Sequence, residues 1–260
     1  MHPTCRRMPA RALLAALILA AAPFVVADDE VSSEASEHVL AAEMALQEDD
    51  YLTAVREYRK AAEASDSVEI ARQATALAYD FNFNEEALRS AKRWLKLDKD
   101  SENALRVVAQ LQLRTGDLRA ARKSFEKYIG LGEGEEEQRL LSLVADFSNE
   151  DPNTADKLMR ELAKPYKTSA KANYATAVLA MQSGDAEYAT GKVERAMELD
   201  ADWLQPKLLF ARILLLKGEH ARAIDYTARI IGDDPDPDPD ARMELALMYL
   251  AAGRDDDALS

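Results

Sequence analysis

Alanine recurs at nearly constant intervals along this chain, and that regularity constrains the fold more than any other feature. The intervals between the seven alanines are 33, 34, 34, 34, 34 and 35 residues: Ala54, Ala87, Ala121, Ala155, Ala189, Ala223 and Ala258. A period of 34 residues with a small side chain at one fixed place is typical of stacked helical hairpins. We therefore expect an all-α chain in which each repeat contributes a helix A, a turn and a helix B.

Two further positions follow the same period. A small residue precedes each alanine by 12 positions in six repeats: Ala42, Thr75, Ala109, Ala177, Ala211 and Ala246. Glycine precedes it by five positions in four repeats: Gly116, Gly184, Gly218 and Gly253. The small residues let helices A and B cross closely, and a larger side chain there would cost about 1–3 kcal/mol. The glycines suit the left-handed conformation that closes helix A.

The fourth repeat departs from this pattern. Leu143 occupies the small-residue position, the turn lacks glycine, and the preceding segment 130–137 contains three glycines and four glutamates. One interpretation is a bend or loosened joint between the first three and the last three repeats. The other is a degenerate repeat that packs normally.

The combination of small residue, turn glycine and alanine resembles the tetratricopeptide repeat family over roughly residues 34–260. The resemblance implies a superhelical solenoid of about seven antiparallel hairpins, the last incomplete. The expected repeats lie near residues 35–68, 69–101, 102–135, 136–169, 170–203, 204–238 and 239–260. Because the last repeat would lack its helix B, we expect a longer protein, or an edge that binds another element.

In this family, helix A lines a concave groove that binds partner proteins. Matching this sequence to the family's inward-facing positions predicts seven groove residues: Arg72, Tyr79, Arg106, Arg114, Tyr174, Met181 and Arg212. The remaining inward-facing positions hold Ala76, Asp80, Gln110, Leu113, Val178, Gln182, Leu208, Leu215 and Leu216. Arginines beside tyrosine, leucine and methionine would suit an extended peptide with carboxylates and apolar anchors. Alternatively, these arginines pair with neighbouring carboxylates of the chain itself.

The N-terminal segment carries the pattern of an export signal. Three arginines precede an apolar run from Ala12 to Ala27, and small or short residues occupy the positions before the expected cleavage site. We predict a signal peptide over 1–27, a linker over 28–33, and the repeat array over 34–260. An uncleaved anchor is the alternative, although the run is shorter than the roughly 20 residues that span a bilayer. The prediction is export across the inner membrane, a periplasmic location and no stable membrane span after cleavage.

No motif for catalysis or cofactor binding is present. The three histidines lie far apart along the chain, the single cysteine is Cys5, and the sequence lacks a phosphate loop, a zinc-binding helix and a nucleophile elbow. The aspartate and proline alternation over 233–240 lacks the glycine and glutamate of a calcium loop. Removing the signal's arginines takes the net charge from −14 to −17, which disfavours nucleic acid. We predict no enzyme activity, cofactor, metal or nucleic-acid partner; the sequence leaves the oligomeric state open.

The segments 50–55 and 71–74, together with the signal and the acidic array, resemble long envelope proteins of Proteobacteria. One of these is the lipoprotein adaptor of a carboxyl-terminal processing protease and its cell-wall hydrolase substrates. The resemblance implies a non-enzymatic scaffold of the cell envelope, although the anchoring cysteine is absent. Two alternatives stay open: a scaffold of an exopolysaccharide export complex, or the substrate-recruiting array of a longer enzyme.

Overall fold

The computed structural model describes residues 32–132, 134–232 and 238–258, and this part of the chain is built from α-helices and one short 3₁₀ turn at Lys164–Tyr166. The helices are α1 Ser33–Gln47, α2 Tyr51–Glu63, α3 Val68–Asp80, α4 Asn84–Leu97, α5 Glu102–Arg114, α6 Leu118–Ile129, α7 Glu136–Phe147, α8 Pro152–Leu162, α9 Ala170–Gln182, α10 Ala186–Leu199, α11 Leu204–Leu216, α12 His220–Ile231, α13 Pro239–Ala251 and α14 Asp255–Ala258. The predicted signal over 1–27 lies outside the described residues, as does most of the aspartate and proline segment.

Consecutive helices pair as hairpins, and each hairpin packs on the next. The odd-numbered helices are the A helices of the repeats, and α2 packs on α3, α4 on α5, α10 on α11 and α12 on α13. The predicted fold class, an all-α array of antiparallel hairpins of the tetratricopeptide type, is confirmed over the described residues.

Helix starts follow a simple chemical pattern. Serine caps several A helices by accepting a backbone N–H bond from the residue three positions later: Ser32, Ser67, Ser101 and Ser169. Aspartate does the same for several B helices: Asp50, Asp117, Asp151 and Asp185. These side chains satisfy N–H groups that have no partner within the helix.

The periodic residues lie where the sequence predicts. The alanines from Ala54 to Ala223 are fully buried, and so are Ala42, Ala109, Ala177 and Ala211. The four turn glycines have φ between +68° and +87°, a region that side chains with a Cβ rarely adopt. Asp49 and Asn82 take the same place in the first two repeats, with φ of 58° and 59°. The turn geometry is therefore shared even where glycine is absent.

The fourth repeat is widened. Helix α7 lies farther from α8 than the paired helices of the other hairpins, and it packs mainly against α9. Leu143 and Phe147 fill the wider space together with Phe125 and Met159, within the largest buried apolar cluster of the chain's described part. The fourth repeat is therefore not a normally packed hairpin: α7 lies farther from both α6 and α8, as a loosened joint requires, while larger side chains fill the interface.

Within the residues that the structure describes, no helix combines the length and the apolar character that crossing a membrane requires.

Candidate functional site

The A helices α3, α5 and α7 form a concave pocket of about 570 Å³. Three predicted groove residues, Arg72, Tyr79 and Arg106, line it. Ala76, Asp80 and Gln110, at other inward-facing positions, line it too. The structure adds residues that the groove prediction did not include: Thr75, Trp94, Asn103, Val107 and Asp146. Arg72, Tyr79 and Arg106 therefore come together on the face formed by consecutive A helices, whereas Arg114 lies outside this lining and borders a separate depression beside Glu150.

Each arginine of this region is held by a carboxylate of the same chain. Arg72 donates two hydrogen bonds, of 3.0 and 2.8 Å, to Glu69 one turn earlier in α3. Arg106 of α5 binds Asp146 of α7 through both carboxylate oxygens, with Nε to Oδ2 at 2.7 Å.

Arg114, at the end of α5, makes contacts with both neighbouring repeats. Its Nε lies 2.8 Å from a carboxylate oxygen of Glu150, in the turn that follows α7. Its guanidinium carbon lies 4.5 Å from the ring centroid of Tyr79, on α3. Arg114 thus connects three consecutive repeats through an ion pair and a cation–π contact.

These contacts neutralise the charge that the sequence assigned to the groove. The hydrogen bonds that Arg106 donates to Asp146 raise the pKa of Arg106 above its usual value, and those that Arg72 donates to Glu69 raise the pKa of Arg72. Asp146 is only 7% exposed, so its pair with Arg106 is shielded from water on the carboxylate side. Arg106 is therefore already paired with Asp146, and a carboxylate of a ligand would have to compete with Asp146 for its guanidinium group.

The remaining predicted residues form a second group on α9 and α11. Tyr174 packs on Trp203, with ring centroids 4.8 Å apart. Arg212 pairs with the buried Glu244 of α13, whose hydrogen bond raises the pKa of Arg212. Met181 is half-buried against the apolar cluster between α9, α10 and α11.

Two inward positions with leucine belong to the core instead. Leu113 is 6% exposed and packs in the cluster that contains Phe125 and Phe147. Leu208 is 4% exposed. The expectation that these leucines line the groove is therefore wrong. For Leu113 the reason is the large apolar cluster around α7.

A simple sequence signal could have found the arginine partners. Asp146, Glu150 and Glu244 follow Arg106, Arg114 and Arg212 by 40, 36 and 32 residues. Each carboxylate thus lies about one repeat period after its arginine, on or just after the next helix A. Trp94 packs against an apolar cluster and also lines the pocket.

The described residues contain no group of three or more histidine, cysteine, aspartate or glutamate side chains that could hold a metal ion. The chemistry on the concave face is hydrogen bonding, ion pairing and aromatic contact.

Comparison with known proteins adds only distant structural similarity. A scan against protein-family models finds no match, and a search of curated protein sequences finds none either. Yeast Tom70 superimposes with a TM-score of 0.48 at 19% identity, covering 86% of this chain and 48% of that chain. A tetratricopeptide repeat protein from Parabacteroides merdae gives 0.44 at 13% identity, covering 87% and 90%. TTC0263, a thermophilic TPR protein of Thermus thermophilus, gives 0.43 at 17% identity, covering 71% and 100%.

All three scores lie below 0.5, so no partner or activity is transferred from these proteins. The assignment of the fold rests on the helices, turns and buried alanines of the chain itself.

Proposed function

We propose that this protein is a non-enzymatic scaffold that binds a segment of a partner protein along its A-helix face. The observation that carries the proposal is the pocket between α3, α5 and α7, where aromatic side chains and polar groups of three repeats converge. A recognition surface needs apolar contact area together with a few well-placed polar groups, and the pocket provides both.

We extend the proposal to the cell envelope because of the export signal predicted over 1–27 and the resemblance of repeats one to three to envelope proteins. The partner would then be another envelope protein, such as a protease or a cell-wall hydrolase. By tethering two such proteins, a scaffold raises their effective concentration and makes their encounter intramolecular.

The test is partner capture with a variant that fills the pocket. Ala76 lines the pocket and is exposed, so Ala76→Arg adds bulk there without disturbing the core. Ala221, exposed near the start of helix B α12, offers the matched control Ala221→Arg. Each tagged variant is cross-linked in intact cells, and the captured proteins are identified by mass spectrometry.

We expect a partner that the wild type and Ala221→Arg capture equally and that Ala76→Arg loses. Capture that survives Ala76→Arg would contradict the pocket as the binding surface. If the captured partner is a cytoplasmic protein and Ala76→Arg abolishes its capture, the scaffold function is supported and the envelope location is contradicted.

A further inference from the structure

The pocket between α3, α5 and α7 contains polar side chains that form no hydrogen bond or ion pair with any other residue that the structure describes. Asp80, Asn103 and Gln110 line it, and none of them has a hydrogen-bond or ion-pair partner among residues 32–132, 134–232 and 238–258. The two arginines of the lining are engaged, Arg72 by Glu69 and Arg106 by Asp146. The groups available to a ligand are thus one carboxylate and two amides.

The available charge is therefore negative, not positive. Two arginines are balanced by two carboxylates, and Asp80 is left as the unpaired ion of the lining. Asp80 is also the last residue of α3, where the carbonyl end of the helix adds negative potential. The whole chain carries a net charge of −14, which favours cationic partners at longer range.

The apolar part of the lining suits a long side chain with a charged end. Ala76, Tyr79, Trp94 and Val107 provide aliphatic surface and two aromatic rings. Lysine and arginine place their methylene stems along apolar surface and keep the charged end among polar groups. Aromatic rings attract such cations further through their negatively polarised faces.

The two free amides favour an extended backbone beside this side chain. Asn103 and Gln110 lie on α5, separated by two helical turns, and each amide both donates and accepts hydrogen bonds. A peptide backbone in an extended conformation presents N–H and C=O groups that match these amides.

We propose that this pocket binds an extended, basic segment of the partner, which contacts Trp94 and directs a lysine or arginine side chain toward Asp80. The inference rests on the proposed scaffold function and specifies its ligand. It replaces the acidic peptide that the number of groove arginines led us to expect, because those arginines are paired within the chain.

Trp94 provides a direct measurement. The chain contains two tryptophans, so Trp203→Phe leaves Trp94 as the only one, and the new ring still packs on Tyr174. Three short glycine and serine peptides, carrying three lysines, three glutamates or three leucines, are titrated against this protein at low ionic strength. Binding is read as the change in tryptophan fluorescence.

The substitution that tests the contact is Asp80→Asn, which removes the charge and keeps the shape. Asp225→Asn, at an exposed position on α12, is the matched control. We expect the lysine peptide to bind most tightly, Asp80→Asn to weaken it by about fivefold, as for a partly exposed ion pair, and Asp225→Asn to leave it unchanged. Circular dichroism confirms that both variants are folded.

Preference for the glutamate or leucine peptide would overturn the inference while leaving the pocket as a peptide site. Lysine-peptide binding that Asp80→Asn does not weaken would also overturn it. If none of the peptides changes the fluorescence, the inference fails, and the scaffold function is then judged separately by the Ala76→Arg capture experiment.

Discussion

Leu143 occupies the position that holds alanine or threonine in the other well-packed repeats, and it is fully buried. A comparison of repeats alone would predict that Leu143→Ala restores the common pattern and stabilises the chain. The structure predicts the opposite, because α7 and α8 are already separated and Leu143 fills the space between α7 and its neighbours.

The expected loss can be estimated from what the substitution removes. Three buried carbon atoms are deleted, which corresponds to about 2.4 kcal/mol of transfer free energy at roughly 0.8 kcal/mol per methylene. A cavity that does not collapse adds to this, so the full loss should be about 2–5 kcal/mol. The reverse change in repeat three, Ala109→Leu, should also destabilise, by about 1–3 kcal/mol, since those helices cross closely.

Urea denaturation followed by circular dichroism measures both losses. Leu216→Ala is the control, because Leu216 is 66% exposed and its truncation should change the stability by no more than about 0.5 kcal/mol. Stability in an array is a sum over repeats and their interfaces, so a weakened fourth repeat should also broaden or split the transition. If Leu143→Ala is neutral or stabilising, the widened and packed fourth repeat is refuted.

Two further predictions concern single positions. Gly116→Ala should destabilise by about 1–2 kcal/mol, because φ is +83°, whereas Gly191→Ala, inside α10 with open space around it, should stabilise by about 0.5–1 kcal/mol. Equal effects in urea denaturation would contradict the left-handed turn. Arg106→Glu should cost about 2 kcal/mol, because it sets two carboxylates together at Asp146, while the exposed Arg72→Glu should change stability little. Thermal unfolding measures this pair, and a similar midpoint for both variants would show that the Arg106 ion pair contributes nothing.

Most of the fold could be predicted from the sequence because its signals are local or strictly periodic. Glycine at a helix end permits a left-handed backbone conformation, and alanine at a helix crossing permits close packing of the two helices. Both steric requirements recur with the period of the repeat. In the first two repeats Asp49 and Asn82 adopt the left-handed conformation without glycine, so the turn occupies the same place in the period whichever residue forms it. The periodic pattern did not predict the packing at Leu143. A larger side chain there accompanies a larger distance between helices, and the sequence pattern does not specify that distance.

The site was predictable as a surface, whereas its charge was not. Arg72, Tyr79 and Arg106, selected by the family's inward-facing positions, line one pocket of the structure. Whether an arginine there is available depends on which carboxylate of the next repeat reaches it, and that depends on side-chain conformation and on the angle between repeats. Of the two interpretations that the sequence left open, the structure shows the one in which these arginines pair with carboxylates of the chain itself.

This pairing also decides which experiments test the binding surface fairly. Reversing Arg106 or Arg114 disrupts an ion pair between repeats, so a loss of partner capture in such a variant would combine lost contacts with an altered array. Ala76 and Asp80 are exposed in the same pocket and form no ion pair with any residue that the structure describes. Substitutions at these two positions change the size and the charge of the pocket separately, and each leaves the connections between repeats intact. If substitutions at both positions weaken the binding of a partner, that partner contacts the pocket itself, because the ion pairs between repeats are unchanged in both variants.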